Sequence, residues 1–182
     1  MESLEGQLLL AAPQLLDPNF VRTVILLVEH NDMGALGLVL NRPTGKTVQE
    51  LWQQVGESPC ESQQPVHLGG PVTGPLMAVH TADGLAETKL VDGVFFAAKK
   101  QNLDELVRRN ASFKIFVGHS GWGPGQLEAE IEQGAWRTVP AKLEDVFDTA
   151  DDLWQRLMHR AVAGVLPEML GIKHIPPDPS LN

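Results

Sequence analysis

The sequence contains no tyrosine, one cysteine, and 14 Lys and Arg against 23 Asp and Glu. Each shortage excludes something. A single cysteine, Cys60, cannot form a disulfide within the chain, which suits a reducing compartment. Its setting, GESPCESQQP, holds no histidine or basic residue to lower the thiol pKa, so nothing there marks a reactive nucleophile. The formal net charge of −9 opposes a nucleic-acid surface, because such binding rests on clustered Lys and Arg that neutralise phosphates. The two basic pairs, Lys99–Lys100 and Arg108–Arg109, read as solvated helix ends. Apolar runs such as LLLAAP (8–13) and VILLV (24–28) are far too short to cross a bilayer. Glu2 and Glu5 stand where a signal peptide requires positive charge. The expectation is a cytoplasmic protein with no membrane segment.

What is present suits a globular domain. The chain has 182 residues, 43% apolar and 20% charged, enough for one domain spanning 1–182 with a sizeable core. Trp52, Trp122, Trp136 and Trp154 carry much of the aromatic bulk. VRTVILLVEH (21–30) and ALGLVLNRP (35–43) read as buried strands, and the Asn-Asp-Met-Gly between them predicts a hairpin. Gly37, inside the second, predicts a close backbone approach. Thr47 and Glu50 form a capping box for the helix VQELWQQV, which Gly56 ends. Further strands are expected in 66–81, 90–98, 113–119 and 136–140. Short helices are expected over 102–110, with Asn102 as cap, and over 125–133. Thr149 reads as the cap of a last helix, DDLWQRLMHRAVAG, and the proline-rich tail IPPDPSLN reads as irregular. Strands dominate without βαβ repetition, which predicts an α+β domain with a bent mixed or antiparallel sheet, or partial barrel, flanked by helices.

The segment GHSGWGPGQLEAEIEQGAW (118–136) concentrates the chemistry worth testing. Gly121, Gly123 and Gly125 suggest a tight strand-to-helix turn, Pro124 suits a first helical turn, and Gly134 suits a left-handed C-cap. Two functions fit such a turn. One is an anion cradle of N–H groups, which the nearby Glu128, Glu130 and Glu132 oppose. The other is a nucleophile elbow at Ser120. It requires G-x-S-x-G, and the fifth residue here is Trp122. The simpler reading is a rigid turn whose tryptophans pack the core. G-x-x-x-x-G-K-[ST] and G-x-G-x-x-G are both absent, and no cofactor is expected. The six histidines, at 30, 67, 80, 119, 159 and 174, have no zinc spacing. His30, His67 and His119 fall at strand ends, where satisfied structural histidines are the commoner outcome, and no metal is expected.

A polar cleft remains the preferred site. Asn41-Arg42-Pro43 closes a strand, and Arg42 there either clamps an anion or pairs with an acid such as Glu29 or Glu130. Gly69-Gly70-Pro71 supplies a second turn. Were these to converge with the glycine corner, Asn41, Arg42, Gly69, Gly70, Pro71, His119, Gly121, Trp122, Gly123, Gln126 and Glu130 would line it.

Three stretches, GQLLLAAPQLLDPNFVRTVILLVEHNDMGALGLVLNRP at 6–43, VHLGGPV at 66–72 and the glycine corner at 118–136, followed by LW at 153–154, closely resemble the YqgE/AlgH family of small bacterial proteins. The resemblance implies a compact α+β domain. It implies no established reaction, and it brings a label of transcriptional regulator that this composition does not support as direct DNA binding. The expectation is therefore a non-enzymatic binding or regulatory protein, acting through an unidentified small molecule or protein, as a monomer or weak homo-oligomer. Two alternatives stand beside it: a hydrolase using His119 with a carboxylate such as Glu130, and a direct DNA-binding regulator, which the charge disfavours.

Overall fold

A computed structural model describes residues 2–109 and 111–169. The apolar runs form the inner strands of two open sheets. The first sheet contains β1 (Gln7–Ala11), β2 (Val24–Asn31), β3 (Gly34–Val39), β10 (Ser120–Trp122) and β11 (Trp136–Pro140). Its order is β10-β3-β2-β1-β11, antiparallel throughout. The second contains β4 (Pro43–Thr47), β5 (Pro65–Leu68), β6 (Met77–His80), β7 (Thr88–Val91), β8 (Val94–Ala97) and β9 (Phe113–Val117). Its order is β4-β5-β9-β6-β8-β7, with β5 and β9 parallel and the other pairs antiparallel. The α+β class with mixed and antiparallel pairing is as expected.

The sheets face each other over one core. Leu8, Leu10, Leu26, Leu38 and Leu40 of the first meet Met77, Val79 and Phe116 of the second. Leu153 and Leu157 of α5 (Leu153–Met169) join the same cluster. The outer face of the second sheet packs on α1 (Val48–Val55) and α2 (Lys100–Leu106) through Trp52, Leu103, Leu106, Ala78 and Ile115. The outer face of the first packs on α3 (Gln126–Glu132) through Leu9, Ile25, Leu27, Trp122, Leu127 and Trp136. Strands covered on both faces read as unbroken apolar sequence, which is why β1 and β2 do not alternate. No helix among the described residues is long and apolar enough to cross a membrane.

Local signals held where the chain satisfies its own backbone. Asn31 and Gly34 close the β2–β3 hairpin, the Asn31 carboxamide accepting from Met33 N at 2.8 Å. A Cβ at Gly37 would lie 2.5 Å from Ile25, so the close approach there is real. The Thr47–Glu50 capping box is complete. Three expectations failed, the first because a distant group took over. The cap of α2 is not Asn102, which lies inside the helix and donates to Glu87 at 2.8 Å. The Glu87 carboxylate also accepts from Ala98 N and Lys99 N, capping the helix from outside. Burial opposes its ionisation, but these hydrogen bonds outweigh that and hold its pKa below the usual range. Thr149 does not cap α5, because the preceding turn is made by Asp148, which accepts from Ala150 N at 2.8 Å. Pro124 precedes α3, whose N-cap is Gly125. Strand β4 and the short α4 (Leu143–Val146) were unforeseen. The tail IPPDPSLN lies outside the described residues.

Candidate functional site

The glycine corner is a crossover between sheets, not a strand-to-helix turn. The chain leaves the second sheet at Val117, turns at Gly118, and joins the first as edge strand β10, where Ser120 pairs with Gly37 and Trp122 with Ala35. Gly118, with φ +70, is the residue that must be glycine, since its Cβ would lie 2.5 Å from Gly70 O. Gly121 and Gly123 are not among the glycines with positive φ. Gly125, at φ +71, makes the left-handed step before α3. Gly134, at φ +78, ends that helix with Ala135 N bonded to Glu130 O, as the C-cap signal predicted.

Most of the predicted site residues fall into two structural groups. Gly69, Gly70 and His119 pack backbone on backbone. Gly69 O accepts from Val39 N at 2.9 Å and from the fully buried Ser120 hydroxyl at 3.2 Å, so that hydroxyl is spent on architecture. His119 exchanges both main-chain hydrogen bonds with Val72, just past Pro71, and its ring lies against Gly74. The second group centres on Glu130. One carboxylate oxygen accepts from the indoles of Trp122 at 3.0 Å and Trp136 at 2.8 Å, and the other from Gln126 at 2.9 Å. Gln126 also accepts from Gly123 N at 3.0 Å. The two indoles meet edge to face at 6.0 Å. The Glu130 carboxylate is thus committed to tryptophans, and the structure does not bring it to His119.

Asn41 and Arg42 hold the chain entering β2. Asn41 accepts from Val24 N and donates to Arg22 O, both at 2.9 Å, and Arg42 donates to Val21 O at 2.7 Å. Arg42 therefore bonds a carbonyl and not Glu29 or Glu130. Its clamp fixes Arg22, at φ +54 the one non-glycine with positive φ among the described residues, whose guanidinium lies 5.6 Å from the Trp154 ring. Such backbone costs on the order of 1–3 kcal/mol and persists only where neighbours over-determine it.

A different place has the features of a site. Two cavities, of about 140 Å³ and about 280 Å³, adjoin through Pro65, His67 and Thr149. Asn41 and Asp148 line the smaller, and Lys114 and Phe113 the larger. Strand register sets the geometry. His67 on β5 pairs with Phe116 on the parallel β9, so His67, Phe116 and Lys114 share the face turned toward the first sheet. Lys114 is 4% exposed and donates to Leu40 O at 3.2 Å and Asp148 O at 2.9 Å, tying the second sheet to the end of β3 and to the 148–151 turn. Both acceptors are carbonyls, so the buried ammonium touches no carboxylate among the described residues. His67 is 5% exposed, and its Nδ1 is buried without a hydrogen-bond partner among the described residues.

The electrostatics follow from that burial. His67 is pushed down from 6.5 to about 4, first by burial and then by Lys114, with the Pro65 carbonyl pulling the other way. Lys114 falls from 10.5 to about 8 through burial, which Asp148 partly offsets. At neutral pH the pair is a neutral imidazole beside an ammonium. Asp148 stays ionised below the usual range: the Ala150 N–H leads, and Arg156 adds to it against burial. Perturbed groups of this kind inside a cleft are a physical mark of function. Another of the strand-end histidines, His30, is structural. Its Nδ1 accepts from Leu4 N at 2.9 Å, which leaves Nε2–H to donate to Glu128 at 2.7 Å. Among the described residues no three His, Cys, Asp or Glu side chains gather as metal ligands.

Sequence reasoning reached Asn41 and missed Lys114. A lysine in FKIFV reads as the outward residue of an alternating strand, yet the apolar IFV after it signals a strand covered on both faces. Lys114 had to be buried, with acceptors brought from elsewhere.

The fold and sequence are shared with known proteins. A UPF0301 protein of Chlorobaculum tepidum is 37% identical over 97% of this chain and 95% of its own length. One from Streptomyces avermitilis is 36% identical over 100% and 97%. The solution structure of AlgH from Pseudomonas aeruginosa matches with a TM-score of 0.73 at 29% identity, over 96% of each chain. A crystal structure from Corynebacterium diphtheriae matches equally, over 88% of this chain and 87% of the other. The AlgH-like family (DUF179) matches residues 8–164, and the chain belongs to it.

Proposed function

We propose that this chain is a non-enzymatic binding protein of the cytoplasm, with an indirect regulatory role, and that it holds a small molecule in the cleft at His67, Lys114 and Thr149. Asn41 contributes to the lining. Arg42, Gly69–Pro71 and the corner from His119 to Glu130 form the frame behind it: Leu68 N bonds Arg42 O, and Gly69 N bonds Val117 O. The observation that carries this reading is the buried Nδ1 of His67, unpartnered among the described residues, on a side chain that lines both cavities. Buried polar atoms are normally paired, and an orphan on a cavity-lining residue is a place where a ligand can complete the pairing. A net charge of −9 favours a small molecule or a protein over DNA as the effector.

The test is a thermal-shift screen of metabolites on the wild type and on Thr149→Trp, which places an indole at the junction of the two cavities from an exposed position. A true ligand at a hundredfold excess over its Kd stabilises the wild type by about 2.7 kcal/mol. The same ligand should leave Thr149→Trp unshifted. A screen with no hits, or hits that shift both proteins alike, refutes the proposal.

A further inference from the structure

We infer that the His67–Lys114 cleft takes a small oxyanion, a carboxylate or phosphate group, seated between the third N–H of the Lys114 ammonium and the His67 ring. The inference rests on the binding reading above and deepens it by naming the ligand class.

The ammonium is the anomaly. Lysine is almost never fully buried unless it is paired, because an uncompensated charge in a low-dielectric interior is costly. Lys114 meets two carbonyl oxygens, which satisfy two of its three donors and supply no countercharge. Among the described residues Asp148 offsets that charge only in part. Asp148 offers Lys114 its main-chain carbonyl, while its carboxylate is taken by Ala150 N and by the Arg156 guanidinium. Asp151 lines the smaller cavity at an exposed position in the turn, away from the ammonium's contacts. His67 is held neutral beside the charge and presents an unpartnered nitrogen. An incoming oxyanion meets both needs at once. It accepts from Lys114, supplies the missing negative charge, and favours a proton on His67, which then becomes a second donor. Each cavity taken alone falls below the ~300–1,000 Å³ of drug-sized sites, so either one suits a ligand of a few heavy atoms or one acidic headgroup.

The experiment follows the His67 and Lys114 side-chain signals of isotope-labelled full-length protein by NMR at constant ionic strength. Four probes are titrated: succinate, acetate, inorganic phosphate and the neutral analogue succinamide. At pH 7 at least one oxyanion should saturate both signals, and succinamide should bind at least tenfold more weakly. The succinate and phosphate arms tell an organic acid from a phosphate. Lys114→Gln should lose the site, with affinity falling at least tenfold. Should that variant not fold, the wild type alone decides: affinity for fully ionised succinate should fall about tenfold per pH unit above the Lys114 pKa of about 8. Succinamide binding as tightly as succinate overturns the oxyanion and leaves the binding reading standing. Oxyanions that all fail to saturate overturn the inference as well. If the metabolite screen then finds nothing that Thr149→Trp abolishes, the binding reading falls with it.

Discussion

Acidification from pH 6.5 to 4 should remove about 3 kcal/mol of stability through His67 alone. In the folded state the His67 pKa is about 4, and in the unfolded chain it returns to 6.5. Between these values the unfolded state binds a proton that the folded state refuses, so stability rises with pH across the window and falls as pH drops through it. The gap of about 2.5 units, at about 1.4 kcal/mol each, gives the figure. His67 is 5% exposed, so solvent screening takes little off. Domains of this kind have about 5–15 kcal/mol in total, so the loss is readily measured. The assay is urea unfolding of wild type and His67→Gln at pH 7, 6, 5 and 4. The carboxylates titrate alike in both proteins and cancel in the difference. The wild type should lose about 3 kcal/mol more than the variant, with the divergence complete near pH 4. Parallel curves would show that the imidazole is not held neutral by burial and Lys114, and the electrostatic account of the cleft would fail.

Lys114 predicts an unusual alkaline limb. Its folded pKa of about 8 lies below the 10.5 of the free side chain, so stability should climb by about 3 kcal/mol between those values, and Lys114→Gln should flatten the climb in the same denaturant assay. Glu130→Ala strands two indole N–H groups and should cost about 2–4 kcal/mol with a shift in tryptophan emission, whereas Glu130→Gln, which keeps an acceptor, should cost less. The corner supplies a paired test. Gly118→Ala forces a left-handed residue and a clash with Gly70 O, and should cost more than about 2 kcal/mol in chemical denaturation. Gly121→Ala meets nothing within 4 Å and should stay within about 0.5 kcal/mol of wild type.

Legibility in the sequence tracked the range of the interaction. The β2–β3 hairpin, the Thr47–Glu50 box and the Gly134 C-cap all rest on groups a few residues apart, and each was readable. The α2 cap was not, because Glu87 reaches it from twelve residues upstream of Lys99. The cleft was half readable. Asn41 was singled out as a polar residue closing a strand, but its partner across the cleft is a lysine 73 residues later, beside a histidine that seemed an ordinary strand end.

Periodicity and turn chemistry in the sequence alone determined most of the strands, the longer helices, and an α+β class with no membrane-crossing run. Only the tertiary structure decided that β5 and β9 lie side by side in parallel, and with that pairing came the burial of Lys114 next to His67. The reason is physical: a strand signal reports which residues seek an apolar face, whereas the pKa of a lysine depends on what the rest of the chain brings within a few ångströms of its nitrogen.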